Sequence, residues 1–216
     1  MITIVGPGQK RPPDSVLLNT TSRSVDFAGA FSPFRLGPVR LWGGHVSLTI
    51  ENAWQFSKVY PDQVDESGNP SPAWYAWARR GWRSPHAERY PRGKGAKPLY
   101  AWWDGKKLGY IEARKRIYIP LYAEAVLRTP EFEILCRRAE NEHIALFDLD
   151  GYREDLYGMS LLDVIECPDR TMGHAFVLKL LVEHGGRYDV DQMAAEGLLM
   201  RTGRRPETRS NQLNLL

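Results

Sequence analysis

The sequence predicts an α+β fold in which helix predominates, and three observations lead to that class. Segments with helical apolar spacing, opened by capping residues and closed by glycine or proline, recur from residue 49 to about residue 200. Short apolar runs suited to strands occur near the N-terminus and again at "HIALF". The chain has no internal repeat and no low-complexity tract, so its 216 residues are expected to share one main core.

The elements follow in order. Residues 1–30 read as an extended N-terminal segment at the domain edge, with "ITIV" and "SVLLNTT" as strands or coil around the breaker-rich loop "GPGQKRPPDS". "PVRLWGGHVSLT" predicts a hairpin, because Gly43 and Gly44 supply the positive φ angles of a tight turn. In "TIENAWQFSK" Thr49 is the N-cap, its hydroxyl accepting from an otherwise unpaired N–H. Glu51 falls in the first turn, and Ile50, Ala53, Trp54 and Ser57 are expected to face the core before the helix ends near "YPDQVDESGNPSP".

"PAWYAWARRGW" predicts a short aromatic helix. From Ile111 a longer helical pattern runs through "IEARKRIYIPLYAEAVLR", interrupted or started afresh around Pro120, which has no N–H to donate. Thr129 and Pro130 restart a helix through "EFEILCRRAENE", and "HIALFDLDGYRED" is a strand entering an Asp-Gly turn. "TMGHAFVLKLLVEH" is a helix stopped by Gly185 and Gly186, "DVDQMAAEGLLMR" a last helix, and 201–216 a flexible tail.

The composition, 43% hydrophobic and 25% charged, is that of a globular protein. No apolar run approaches the roughly 18 residues needed to cross a bilayer, and "MITIVGPGQK" lacks the pattern of a secretory leader. A cytoplasmic protein with no membrane partner is expected, and Cys136 and Cys167 read as reduced thiols. The net charge of +3 is unevenly spread. Cations crowd the stretch from Arg79 to Lys107 among Trp82, Tyr90, Tyr100, Trp102 and Trp103, a mixture suited to phosphate contact and base stacking. The same mixture also suits a solvated loop whose cations lie over an aromatic mini-core.

Several chemistries lack their residues. There is no phosphate loop ending in GK[ST], no GxSxG elbow and no HExxH, and the five histidines show no metal-ligand spacing. Neither a metal nor a cofactor is therefore expected. What remains is carboxylate and aromatic chemistry. Glu51, Gln55 and Lys58 share a helical face at i, i+4 and i+7, which fits either a solvated face or the wall of a site. "WWDG" offers Asp104 and "FDLDG" offers Asp148 and Asp150, each of which could equally serve a local turn.

The order of these pieces resembles the NADAR (YbiA-like) superfamily. Its signature run, roughly T-V-E-H-A-Y-Q-A-A-K, aligns position by position with Thr49 to Lys58. Upstream, Phe31-Ser32-Pro33-Phe34 resembles the family phrase F-x-S-N-F-Y-P; downstream, Trp102-Trp103-Asp104 resembles D-W-D, and "YAEAVLRTPEFEIL" resembles the helix that follows it. Tyr157-Gly158 and the run from Arg170 through Met172-Gly173 to Val177 resemble the closing W-G and N-x-L-G-x-x-L-M phrases. The likeness spans about residues 31–183, within a domain of 31–200 that carries a basic, aromatic insertion at about 61–97. Asn52 stands where the family has histidine, Pro33 and Arg170 where it has asparagine, and Tyr157 where it has tryptophan.

The resemblance implies hydrolysis of an N-glycosidic bond in a nucleotide-like substrate. In some members that substrate is a ribosylated pyrimidine of riboflavin synthesis, in others ADP-ribose on guanine. Cleavage of a C1′–N bond builds positive charge on the ribose, which a nearby carboxylate can stabilise while activating water. Glu51 is then the catalytic carboxylate, with Asp104 or Asp148 as the second. Trp54 and Trp103 are expected to stack on the base, and Lys58, Arg114 and Arg116 to meet phosphate or assist the leaving group. Ser32, Phe34, Asn52, Gln55, Asp150, Arg170 and Gly173 complete the expected substrate-binding set. The expected partner is an ADP-ribosylated or ribosylated base, either free or carried by a nucleic acid that meets 79–107. The departures at Asn52, Pro33 and Arg170 motivate an alternative, a non-catalytic module that binds a nucleotide or modified base. A third reading is an interaction protein whose tryptophans only fill the core.

Overall fold

The structure, a computed structural model that describes residues 1–202, sets two N-terminal strands on either side of a strand from the far half of the chain. Strands β1 (Ile2–Val5) and β2 (Ser15–Asn19) both pair in parallel with β8 (His143–Phe147). Ile2 lies opposite Ile144, and Val16 opposite the same residue from the other side. Ile144, Ala145 and Leu146 are fully buried, as a parallel strand covered on both faces requires. The extended segments expected at the domain edge are thus the outer strands of the central sheet, and β1 is buried along its length.

Strands β3 (Val39–Arg40) and β4 (Val46–Ser47) form the expected hairpin, turning through Gly43 and Gly44 at φ 61° and 75°. Helix α1 (Ile50–Gln55) begins at Thr49 as anticipated, the threonine hydroxyl accepting from Asn52 N–H at 3.1 Å. It is shorter than expected. The chain leaves it to form β5 (Lys58–Val59), which pairs with β6 (Tyr100–Trp103), itself paired with β7 (Lys106–Leu108). Helix α2 (Pro72–Trp82) packs close to α1 through Gly81, where a Cβ would stand 2.0 Å from the Phe56 ring.

The interruption expected around Pro120 takes the form of a π-helical turn, after which an α-helix starts afresh. Helix α3 (Tyr110–Ala113) runs through a π-helical turn at Arg114–Tyr118 into α4 (Ile119–Val126). The widened turn resets the hydrogen-bond register, and Pro120 then occupies the first turn of α4, where a missing N–H is tolerated. Helix α5 (Pro130–Asn141) follows Thr129 as expected, although that hydroxyl donates back to the Val126 carbonyl at 2.7 Å instead of capping.

Helix α6 (Leu161–Ile165) opens on a Ser160/Asp163 capping box. Helix α7 (His174–Glu183), buried on most of its surface, packs against β1, α4 and α5 and stops at Gly185 and Gly186 as predicted. Helix α8 (Val190–Ala195) ends ahead of Gly197 at φ 74°, before the expected limit. From residue 203 the expected tail lies outside the described residues. The architecture is α+β with helix predominant, and no helix among the described residues is long and apolar enough to cross a membrane.

Candidate active site

A cavity of about 400 Å³ opens at the carboxyl ends of the parallel strands, a common position for ligand sites on parallel sheets. Residues just after β2 and β8 line its floor, and α1 lines one wall. The start of α1 is held by the segment 33–36. Ile50 and Glu51 N–H groups, which have no partner within the helix, donate to the carbonyls of Leu36 (2.9 Å) and Pro33 (3.0 Å). That docking brings Ser32, Pro33 and Phe34 to the cavity beside Glu51.

Glu51, Gln55 and Lys58 form a relay. Gln55 Nε2 donates to Glu51 Oε1 at 2.8 Å, while its Oε1 accepts from Lys58 Nζ at 2.7 Å. The amide therefore carries a hydrogen-bonded link between a carboxylate and an ammonium group. Burial pushes the Glu51 carboxyl above its ordinary range, against the opposing effects of the Gln55 bond and the nearby Lys58. Burial pulls the Lys58 ammonium down to about 8, with Glu51 acting the other way. Both groups line the cavity with protonation equilibria moved toward neutral pH.

The floor is built on Asp148, which is buried at the end of β8. Its Oδ1 accepts from Asp150 N–H at 3.0 Å, and its Oδ2 accepts from Ala175 N–H and lies beside His174 Nδ1, both at 3.0 Å. The His174 Nε2 faces the Thr20 carbonyl at 3.0 Å. Both ring nitrogens face acceptors, which fits the doubly protonated, cationic ring. Against the burial that would raise it, His174 and the backbone donors hold the Asp148 carboxyl down at about 2. Against burial that would lower it, Asp148 raises the His174 ring. Gly173 leaves room for this pair, since a Cβ there would sit 2.1 Å from Asp148 Oδ2.

Aromatic side chains from α1, α3 and the π-helical turn make another part of the wall. Trp54, expected in the core, is half-buried and lines the cavity, with Tyr118 at 5.4 Å and Tyr110 at 6.4 Å between ring centroids. Lys58 Nζ lies 5.0 Å from the Trp54 ring. Arg114 stacks on Tyr110 at 4.5 Å, yet its guanidinium is spent on four backbone carbonyls, those of Val164, Ile165, Cys167 and Arg170. It lines the site while tying down the loop after α6.

Of the expected site residues, the fold gathers Ser32, Phe34, Glu51, Trp54, Gln55, Lys58, Arg114, Asp148, Asp150 and Gly173 around one cavity. Others lie elsewhere. Asp104 is exposed at the tip of the β6–β7 turn with φ 45°, so the reading as a local turn residue fits its place and the second-carboxylate reading does not. Trp103 lies in β6 against the core edge, and Arg116 is exposed and pairs with Glu112 at 3.8 Å. Arg170 stacks on Tyr157 at 4.0 Å, outside the cavity lining. Asn52 is fully buried and turns away, its amide hydrogen-bonded to the backbone of residues 84–88.

Arg89, Tyr110, Tyr118 and His174 also line the cavity and were not singled out by the sequence. Tyr110, Arg114 and Tyr118 recur every four residues on one helix face, a spacing that carried the signal. His174 is the residue after Gly173, but nothing in the chain between marks its pairing with Asp148. Among the described residues, no group of three or more His, Cys, Asp or Glu side chains is placed to hold a metal ion.

No family model matches this chain, and no curated protein matches it. Among solved structures it is similar to the NMR structure of the E. coli protein YbiA, with 17% identity and a TM-score of 0.43 over 93% of this chain and 98% of that one.

Proposed function

We propose that the chain is an N-glycosidase that hydrolyses the bond between a ribose C1′ and a base nitrogen in a nucleotide-like substrate, ADP-ribose or ribosyl phosphate joined to a base. One observation carries the reading. Of the three carboxylates that line the cavity among the described residues, Asp148 is tied to His174 and Asp150 to Arg89, while Glu51 is held only by the neutral Gln55 amide. A buried carboxylate without a tight counter-ion is suited to meet positive charge that develops during a reaction.

In this mechanism the base lies against Trp54, Tyr110 and Tyr118, where flat rings favour stacking. As the C1′–N bond lengthens, Glu51 faces the oxocarbenium-like ribose and takes a proton from the attacking water. Lys58, joined to Glu51 through Gln55, gives its proton or its charge to the departing base. The Asp148–His174 pair fixes the floor and the start of α7, and is not required to exchange protons. The sequence resemblance over 49–58 supports the same assignment of Glu51.

The alternative of a binding module without turnover loses part of its motive. Asn52 and Arg170, two of the departures behind it, lie outside the cavity lining. Chromatography of products after incubation with ADP-ribosylated guanine DNA and with a ribosylaminopyrimidine phosphate tests the proposal. Release of the free base or free pyrimidine from either supports hydrolysis; tight binding of both without product supports the module.

A further inference from the structure

Among the described residues, four lysine and arginine side chains line the cavity: Arg23, Lys58, Arg89 and Arg114. Arg114 is committed to backbone carbonyls, and Lys58 to the Gln55 relay. Arg89 is different. Its Nη2 donates to Asp150 Oδ2 at 2.5 Å, while both side chains remain about a third exposed, at 30% and 37%. An ion pair open to solvent is weak, and it leaves most of the guanidinium fork available to a stronger acceptor.

Arg89 arrives on a segment with no regular structure, and a side chain of α1 fixes that segment. Asn52 Nδ2 donates to the carbonyls of Ser84 (3.3 Å) and His86 (2.9 Å), and Asn52 Oδ1 accepts from Glu88 N–H at 2.8 Å. Asn52 directly follows Glu51. One turn of helix therefore presents the carboxylate to the cavity and, through its neighbour, anchors the backbone that delivers Arg89 and Tyr90 to the rim.

We propose that residues 84–90 are a substrate-recognising strap pinned by Asn52, in which Arg89 receives a phosphate of the substrate in exchange for Asp150. A phosphate offers more charge than a carboxylate and matches the guanidinium fork with two parallel hydrogen bonds. Asp150 is then the counter-ion that holds Arg89 ready before substrate arrives, and Asn52 is a positioning residue. This inference rests on the nucleotide-like substrate of the proposed function, but it concerns recognition and is read by binding alone.

The test uses tryptophan-fluorescence titration of the full chain with guanosine 5′-monophosphate and with guanosine. The ratio of the two affinities is the readout. The wild type is expected to prefer the monophosphate by about tenfold or more, the scale of a hydrogen bond to a charged group. Arg89→Gln is expected to abolish the preference with guanosine affinity unchanged, and Asp150→Asn to increase it. Asn52→Ala should lower the preference, leave guanosine affinity unchanged and open residues 84–97 to trypsin.

A wild type without phosphate preference, or an Arg89→Gln variant that keeps it, overturns the strap. If Asn52→Ala does not fold, Arg89→Gln still decides, because it removes only a rim ion pair. A strap that behaves as expected in a protein that releases no base overturns the hydrolase reading alone. Hydrolysis with the phosphate preference intact in Arg89→Gln overturns the strap alone.

Discussion

Asp148 and His174 meet under the cavity as a buried pair, with Oδ2 and Nδ1 3.0 Å apart and the other ring nitrogen 3.0 Å from the Thr20 carbonyl. The pair joins the end of the central strand to the first turn of α7, so it holds together two elements that the chain order separates. Removing one member of such a pair leaves the other charged and buried, at a cost of about 3–5 kcal/mol. Asp148→Asn should therefore lower unfolding free energy by that amount in urea titrations near pH 6, and a loss under about 1 kcal/mol would contradict the pairing.

The same pair sets a pH signature. The Asp148 carboxyl is depressed to about 2, so its contribution is present above an unfolded value of about 3.9 and is lost as pH falls through about 2. The His174 ring is raised, so its contribution is full below an unfolded value of about 6.5 and is lost as pH rises through the higher folded value. The deficit of Asp148→Asn should accordingly be largest between about pH 4 and pH 6.5 and shrink toward alkaline pH. A deficit that grows on the alkaline side would contradict the assignment.

Turnover should follow a bell. Burial raises Glu51, so the acid limb of kcat/KM is expected above the ordinary carboxylate range, and the alkaline limb should fall as Lys58 deprotonates near 8. Arginine stays protonated throughout this range, so Lys58→Arg should carry the alkaline limb beyond it. An unchanged alkaline limb in that variant would remove Lys58 from the proton transfers.

Asp104 occupies an exposed turn at φ 45°, a conformation that asparagine adopts readily. Asp104→Asn is expected to leave turnover unchanged and stability within about 0.5 kcal/mol of wild type. A tenfold loss of kcat/KM would return this carboxylate to the reaction.

Arg79, Arg80 and Arg83 are exposed and take part in none of the ion pairs among the described residues. In the DNA-borne form of the proposal, these three cations are the ones proposed to neutralise its phosphates. Binding to duplex DNA should then weaken steeply with salt, and replacing the three should reduce the log–log slope by about 0.9 for each phosphate no longer neutralised. Salt-insensitive binding would place the substrate among free metabolites.

Local rules made much of the fold legible. Thr49, Gly43-Gly44 and Gly185-Gly186 act within a few residues of themselves, and their caps and turns stand where the sequence put them. The central sheet was not legible as a sheet, because Ile2 and Val16 find Ile144 through pairings that no local pattern encodes. Pro120 marked the interruption but not its form, a π-helical turn over Arg114–Tyr118 that ends just before the new helix.

The site divides in the same way. Glu51, Gln55 and Lys58 were visible as one face, although Lys58 reaches the relay from a strand and not from the helix. Asp104 and Trp103 were drawn in by a motif whose side chains lie outside the cavity lining. Arg89 and His174 enter through tertiary contacts, from a loop held by Asn52 and from a helix held by Asp148.

In the proposed mechanism everything turns on Glu51 as the group that carries the hydrolysis. Single-turnover product chromatography of wild type and Glu51→Gln, on the adduct that the wild type cleaves, tests this without intermediaries when thermal unfolding of both is run alongside. Glu51→Gln is expected to lose about 100-fold or more in rate, within the range of general acid–base catalysis, while unfolding at a temperature no lower than wild type. Near-normal release of the base by a folded Glu51→Gln protein would contradict that role.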